Sequence, residues 1–255
     1  MMNLDLENPT PFWKVISENP QGRQQVLDLC KENEPLVSSI SAYSELPKVL
    51  NDALTTFVSS AVERIKYVTA YHGCRVFNES DYTERGIRKL ETDRIVKWCK
   101  EFFGLDDRIE GILSELGEGY IRHGESGVFC MRGIEAAKKN ECSHCDGSEL
   151  VRCITNRLGK NVEERYFAAG TPCFIEVCTP IEWFKKFSNT SLESLLRDIF
   201  THWLWVELEL DWPGDPREGG IVFQNDIPPE FIMAFHYTER TQPNEGANGI
   251  HRTTS

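Results

Sequence analysis

The sequence predicts an α+β fold with a mixed or antiparallel sheet. Apolar runs that indicate strands are interspersed with segments of helical periodicity, but they do not follow the regular strand–helix–strand order of a parallel sheet. Hydrophobic residues make up 40% of the 255 positions, and 14 Phe and 6 Trp supply large side chains for a core. The chain is long enough for one large domain or two modest ones.

The first 66 residues predict a helical N-terminal segment. Thr10-Pro11 begins one helix, Asn19-Pro20 ends it, and a second helix follows over 21–32. Residues 46–65 then repeat apolar side chains every three or four positions, which is typical of an amphipathic helix. We expect this segment to serve as scaffold or as a surface for a partner.

Residues 67–240 carry the remaining predicted elements. Apolar or alternating runs indicate strands at 67–71, 126–131, 173–178, 203–210 and 220–223, after which the stretch 227–232 turns into 233–237. Helical spacing, caps and terminal glycines indicate helices at 78–86, 93–103, 106–116, 147–159 and 192–200. The final stretch, 241–255, is polar and rich in Gly, Asn and Thr, so we expect a disordered tail.

Charge and cysteine content bound the function. The net charge of -12 disfavours general adhesion to nucleic acid or anionic membrane, which depends on Lys and Arg. The N-terminus lacks a basic region followed by an apolar core, and no run approaches the roughly 18 apolar residues of a membrane span. With nine cysteines and no export signal, the sequence predicts a cytoplasmic protein that does not enter the membrane.

Several common chemical signatures are absent from the sequence. It has no GxxxxGK[ST] loop, no GxGxxG after a strand, no HExxH and no GxSxG. Cys142-Ser-His-Cys145 is the most metal-like stretch, and with Cys130 and Cys153 it could enclose a zinc ion. Because only one CxxC is present, buried thiols and no metal are the favoured interpretation.

The segment Tyr71-His-Gly-Cys-Arg75 combines features of a ligand site. It ends a predicted buried strand with a hydrogen-bond donor in His72, a backbone open to close approach in Gly73, and a fixed charge in Arg75. Glycine lets a ligand near the main chain, and Arg grips phosphate in a fork. The pattern indicates a phosphate-bearing or nucleotide-like ligand.

Further motifs follow this segment in order: Tyr82-x-x-x-Gly-Ile, Gly147-Ser-Glu, Gly170-Thr-Pro-Cys-Phe-Ile-Glu-Val and Ile227-Pro-Pro-Glu-Phe-Ile. In this arrangement the chain resembles the ADP-ribosyltransferase fold over about 67–237, in particular the divergent bacterial members found as toxins and in phage defence. The resemblance implies a mixed or antiparallel split sheet with flanking helices, preceded by the helical segment 1–66, and a transferase-like domain at 67–240.

The resemblance also implies site residues, with NAD as the substrate. His72 matches the ribose-binding histidine and Gly73 the close-approach glycine, and Arg75 would reach a diphosphate oxygen. Phe129 matches an aromatic that stacks on nicotinamide, and Tyr82 is a second candidate for an aromatic or ribose contact.

The catalytic glutamate has two candidates. The family usually carries this glutamate on a late strand, and Glu218 lies slightly ahead of the corresponding strand here. Glu149 stands in the Gly-Ser-Glu motif at a helix start. Cleavage of the N-glycosidic bond of NAD develops an oxocarbenium ion, which a carboxylate near the ribose stabilises. A helix-start carboxylate is also favoured by the helix dipole alone, so a structural role for Glu149 stays open.

The resulting hypothesis is a toxin-like, NAD-dependent ADP-ribosyltransferase. Its acceptor would be a macromolecule, protein or nucleic acid, and an antitoxin or regulator is a possible partner. The alternative is a non-catalytic interaction or immunity protein on a degenerate transferase-like fold. A small zinc-stabilised nucleic-acid module is a third interpretation.

Overall fold

A computed structural model describes residues 2–32, 48–104, 108–115, 127–139, 145, 147, 149–209 and 219–238. Its fold is α+β, as predicted. The described strands are β1 (Met2–Leu4), β2 (Ile65–Val76), β3 (Val128–Met131), β4 (Thr171–Pro180), β5 (Gly220–Phe223) and β6 (Ile232–Tyr237). They form an open sheet in the order β5-β3-β2-β4-β6, with antiparallel neighbours, and β1 lies parallel to the start of β2.

Helices flank the sheet. Their bounds are α1 (Thr10–Ser17), α2 (Pro20–Glu32), α3 (Lys48–Val62), α4 (Glu79–Arg85), α5 (Thr92–Phe103), α6 (Ile134–Lys139), α7 (Glu149–Leu158), α8 (Lys160–Ala169), α9 (Ile181–Phe187) and α10 (Leu192–Glu207). Residues 108–115 are also helical, and a single 3-10 turn, Pro229–Phe231, leads into β6. Among the described helices, none combines the length and apolar character needed to cross a membrane.

Two sequence predictions of secondary structure are wrong. The run at 203–210 was expected to form a strand, but α10 continues through it to Glu207. Ser191 caps this helix, and buried apolar residues recur every three or four positions from Leu192 to Trp203. The second error concerns the N-terminal segment, which was expected to be helical, because Met2–Leu4 forms a strand.

The N-terminal segment shares its core with the sheet. Leu4, Phe12 and Leu54 belong to the main hydrophobic cluster together with Val68 of β2. The expected boundary between residues 66 and 67 falls inside β2. Residues before and after that boundary therefore bury one common core, while the predicted tail at 241–255 lies outside the described residues.

The two faces of the sheet are covered differently. The main cluster lies on the face that α1, α3 and α10 cover, and Phe57 of α3 packs against Phe200 of α10. A second cluster joins α5, residues 108–115, α7 and α8. A third, small cluster joins Tyr71, Met131, Ile134, Cys145 and Phe174. Since residues alternate between faces along a strand, Tyr71 and Phe174 face away from the main cluster.

The ladders on the two sides of β2 are unequal. β2 and β4 pair continuously from Tyr67↔Pro180 to Val76↔Thr171. In contrast, β2 and β3 pair only at Tyr71↔Met131. The sheet therefore opens between β2 and β3 beyond that single pair.

Candidate functional site

The opening between β2 and β3 defines the candidate site. Continuing the antiparallel register from Tyr71↔Met131 would set Gly73 opposite Phe129, yet these residues do not pair. Phe129 pairs instead with Val222 of β5, so β3 follows β5 and diverges from β2. We call this gap the β2–β3 cleft; His72, Gly73 and Phe129 border it.

His72 spans the cleft with one hydrogen bond. Its Nδ1 lies 2.8 Å from the carbonyl oxygen of Phe129. A carbonyl can only accept, so Nδ1 carries the hydrogen and donates it. Burial lowers the pKa of His72, which keeps the ring neutral at pH 7. A neutral ring with its hydrogen on Nδ1 has a lone pair on Nε2 and can accept a hydrogen bond from a hydroxyl.

Phe129 presents an aromatic surface beside the cleft. Its carbonyl oxygen accepts the hydrogen bond from His72, and the residue is 44% exposed. The ring lies directly on Gly220, where a Cβ would come within 2.0 Å of the ring atom Cε2. The missing side chain at Gly220 therefore leaves the space that the ring occupies. An exposed aromatic ring suits stacking with a planar ligand group.

Arg75 does not face the same side as His72. The two residues are three apart in an extended strand, so their side chains point to opposite faces. Arg75 is 5% exposed, and its Nη2 donates to the carbonyl oxygens of Phe167 and Gly170, both at 2.8 Å. The guanidinium also lies 4.8 Å from the centroid of the Phe167 ring. A diphosphate contact would require it to leave these groups, and that role stays a prediction.

Tyr82 packs on the side of the main cluster. Its ring meets Phe235 of β6 edge-on, with centroids 6.2 Å apart, and its hydroxyl donates to the carbonyl oxygen of Arg75 at 3.5 Å. Burial raises the pKa of Tyr82, so the phenol is neutral at pH 7. These contacts give Tyr82 a role in packing α4 against β2 and β6, and a ribose contact stays a prediction.

The two candidate glutamates differ in what the structure describes. Glu218 lies outside the described residues, although the next residue, Gly219, accepts a backbone hydrogen bond from Arg132 at the end of β3. Glu149 is the first residue of α7, and Gly147 just before it packs against Arg75 and Tyr166. Glu149 therefore begins a helix, as predicted, and Gly147 lies beside β2.

An acid–base cluster that sequence reasoning missed lies on the face opposite to the main cluster. Glu176 of β4 and Nε2 of His236 on β6 are 2.8 Å apart, and the His236 ring packs edge-on against Tyr71. The Tyr71 hydroxyl bonds to Asp5. Burial, reinforced by the charges of Glu176 and Glu7, raises the pKa of Asp5. A lone glutamate inside the apolar run Cys173-Phe-Ile-Glu-Val was the available sequence signal.

The structure describes only part of the metal-like stretch. Cys142 lies outside the described residues, and Cys145 is buried against Tyr71 and Phe174. Within the described ranges, no three His, Cys, Asp or Glu side chains are grouped as metal ligands. Burial raises the pKa of Cys74 and Cys173 to about 12, so these two are unreactive thiols at pH 7.

Comparisons with known proteins return no relative of this chain. No protein-family model matches it, no curated protein matches its sequence, and no solved structure matches its fold. The functional argument therefore depends on the geometry of the β2–β3 cleft alone.

Proposed function

We propose that this chain is a toxin-like, NAD-dependent ADP-ribosyltransferase that acts in the cytoplasm on a macromolecular acceptor, protein or nucleic acid. Residues 67–240 would form its ADP-ribosyltransferase-like domain, and the N-terminal segment would support it. NAD would bind in the β2–β3 cleft as a substrate.

The observation that carries the proposal is the hydrogen bond from His72 to the carbonyl of Phe129. It leaves an acceptor lone pair on Nε2 of His72 at a gap in the sheet, and the exposed ring of Phe129 borders the same gap from the opposite face, which it shares with Tyr71 and Met131. A ribose hydroxyl is a donor for such a lone pair, and nicotinamide is a planar partner for such a ring. Gly73 lies on the same face as Phe129 and has no side chain to exclude a ligand.

The reaction breaks the glycosidic bond between C1′ of the ribose and the nicotinamide nitrogen. The bonding electron pair leaves with nicotinamide, which becomes neutral, and positive charge develops on the ribose. A nucleophilic atom of the acceptor then bonds to C1′ and releases its proton to water. A glutamate, Glu149 or Glu218, stabilises the developing cation.

The test uses the full chain with NAD labelled on its adenylate phosphate. Label should transfer to protein or nucleic acid of a cell extract, and His72→Ala should abolish transfer while its circular dichroism matches that of the wild type. Calorimetry should show NAD binding to the wild type. A wild-type protein that does not bind NAD refutes the proposal.

The second candidate is a non-catalytic interaction or immunity protein on a degenerate transferase-like fold. The observation that favours it is Arg75, whose guanidinium binds protein carbonyls and lies on the opposite face from His72. A cleft without a charged group for diphosphate would hold NAD weakly or not at all.

Expression in a bacterial host separates the two candidates. A toxic transferase should slow growth, and His72→Ala should restore it at equal protein levels. A binder should leave growth unchanged in both cases, and it should leave labelled NAD intact.

A further inference from the structure

β6 is an edge of the sheet, and its outer side is open. On its inner side it pairs with β4, from Cys173↔Tyr237 to Val177↔Ile232. Within the described ranges, no residue outside β4 hydrogen-bonds to the backbone of 233–237. An edge strand of this kind presents unpaired N–H and C=O groups to any extended segment that approaches it.

The opposite end of the sheet is closed by the protein itself. There the Val222 carbonyl of β5 accepts the Asn189 amide at 2.9 Å, and the Val222 amide donates to the Asn189 side chain at 3.0 Å. Proteins also protect edges with charged residues, proline or bulges. Ile232–Tyr237 contains no Lys, Arg, Asp, Glu or Pro. It has a bulge at Met233, but Ala234–Tyr237 pairs regularly with β4 and remains open on its outer side.

Glu176 brings a carboxylate close to this edge. It lies directly across from Ala234 in the ladder between β4 and β6, on the face opposite to the main cluster. Its carboxylate is 2.8 Å from Nε2 of His236, and the two side chains are 27% and 40% exposed. Because Ala234 is small, no large side chain of β6 lies directly between Glu176 and the outer edge.

Further carboxylates lie around the same strands. Burial, together with the charges of Glu176 and Glu7, raises the pKa of Asp5, so these three acidic groups are neighbours on one face. On the other face, the Tyr237 hydroxyl donates to Glu79. Neither β4 nor β6 contains a Lys or Arg. Acidic groups therefore lie on both faces of an open edge whose own strands supply no basic residue.

We infer that the outer edge of β6 binds an extended segment of a partner protein that carries Arg or Lys side chains. The backbone of that segment pairs with 233–237 and adds a strand to the sheet. The added strand lies two strand spacings, about 10 Å, from β4. An extended Arg of the segment crosses above Ala234, and its guanidinium meets the carboxylate of Glu176.

The charge of this surface favours a protein partner over a nucleic acid. Phosphates would meet the carboxylates of Glu176 and Glu79, whereas nucleic-acid binding depends on Lys and Arg. A nucleic acid also offers no peptide backbone to pair with the open edge. The inference goes beyond the proposed transferase activity, because it uses neither NAD nor the β2–β3 cleft.

The first experiment measures binding of a labelled peptide of alternating Thr and Arg to the full chain by fluorescence anisotropy. This peptide should bind at least about 10-fold more tightly than one of the same length with Gln in place of Arg. A third peptide keeps every Arg but has methylated backbone nitrogens, so it cannot donate to β6. It should also bind at least about 10-fold more weakly, because strand addition depends on main-chain hydrogen bonds.

Variants of the chain locate the surface. Glu176→Gln should raise the Kd of the Arg peptide by about 5-fold or more, with a circular dichroism spectrum that matches wild type. Glu193→Gln removes the same charge from an exposed position on α10, on the other face of the sheet, and should keep the Kd within about 2-fold. Binding of the Arg peptide to wild type should slow amide hydrogen exchange in 232–237 and leave 220–223 unchanged.

Several results overturn the inference. They are no binding of the Arg peptide, equal affinity for its methylated form, unchanged exchange in 232–237, and equal effects of Glu176→Gln and Glu193→Gln. A single-stranded oligonucleotide that slows exchange in 232–237 also overturns it, because the partner would then be a nucleic acid. Since NAD is absent from these measurements, failure of this surface and failure of the transferase proposal are separate outcomes.

Discussion

Gly86 follows α4 directly and packs against Ile227, in the segment that leads into β6. Its replacement by alanine should destabilise the protein strongly. Gly86 has φ 75° and ψ -171°, a region of backbone space that is essentially restricted to glycine. A Cβ there would lie 2.0 Å from the carbonyl oxygen of Ile227. That oxygen accepts the Ile87 amide at 2.9 Å, and the Ile227 amide donates back to Ile87 at 2.8 Å.

The expected loss of stability has two sources, the backbone conformation of Gly86 and the contact of a new Cβ with the Ile227 carbonyl. The backbone conformation costs alanine on the order of 1–3 kcal/mol. Relieving the contact moves a buried carbonyl and breaks the reciprocal bridge, whose two hydrogen bonds are worth about 1 kcal/mol each. We expect Gly86→Ala to lower the free energy of unfolding by about 3–5 kcal/mol in total.

Gly104 is the matched control. It also follows a helix, with φ 96° and ψ 166°, but no atom of the described residues lies within 4 Å of its Cβ position. Gly104→Ala should therefore show the backbone term alone, about 1–3 kcal/mol. Urea unfolding followed by circular dichroism gives both values from the midpoint at constant m. If the two variants differ by less than about 0.5 kcal/mol, the bridge between Ile87 and Ile227 contributes nothing and the reasoning fails.

Three further predictions concern titrating and charged groups. Because the folded state lowers the pKa of His72, stability should fall as pH drops from about 6.5 through the folded pKa, with a slope of at most about 1.4 kcal/mol per pH unit, and His72→Gln should reduce this slope in urea titrations. Because the folded state raises the pKa of Asp5, the wild type loses stability as pH rises through that pKa. The variant Asp5→Asn should therefore be more stable than wild type by up to about 1 kcal/mol at pH 7 and equally stable in acid. An unchanged dependence of stability on pH contradicts this. In the ion pair between Arg132 and Asp198, Arg132 is only 15% exposed, so Asp198→Asn should lower the free energy of unfolding by about 1–3 kcal/mol. The pair between Arg64 and Glu18 has the same 2.5 Å length but is well exposed, so Glu18→Gln should lower it by under about 1 kcal/mol in thermal unfolding. Equal losses in the two variants would show that burial is irrelevant.

The elements that local sequence signals define were predicted well. Proline-bounded apolar runs gave β4, and helical spacing with a terminal glycine gave α5 and α7. The strand predicted for the run after Trp203 was wrong. Its residues alternate like those of a strand, but the preceding turns of α10 already provide a helix that the run extends. Extending an existing helix adds one hydrogen bond per residue without a new nucleation cost.

The candidate site was predicted less completely, for two different reasons. The opposite orientation of His72 and Arg75 was available from sequence, since an odd separation in a strand always gives opposite faces. The gap beside His72 was not available, because it depends on how β3 pairs with β5 rather than with β2. Likewise, Asp5 and Glu176 meet only through tertiary contacts with Tyr71, which no local pattern encodes.

The position of Arg75 changes what distinguishes an enzyme from a binder on this fold. If Arg75 serves α8 rather than the ligand, then affinity for NAD loses the diphosphate contact that Arg75 was expected to make, which makes ground-state binding weaker. Weak binding of the substrate is compatible with catalysis, because rate depends on interactions that strengthen in the transition state. A carboxylate near the ribose is such an interaction, since it acts on charge that only the transition state carries. The decisive variable is therefore whether a carboxylate, Glu149 or Glu218, reaches the ribose, and a low affinity for NAD alone would leave the transferase proposal intact as long as binding is measurable.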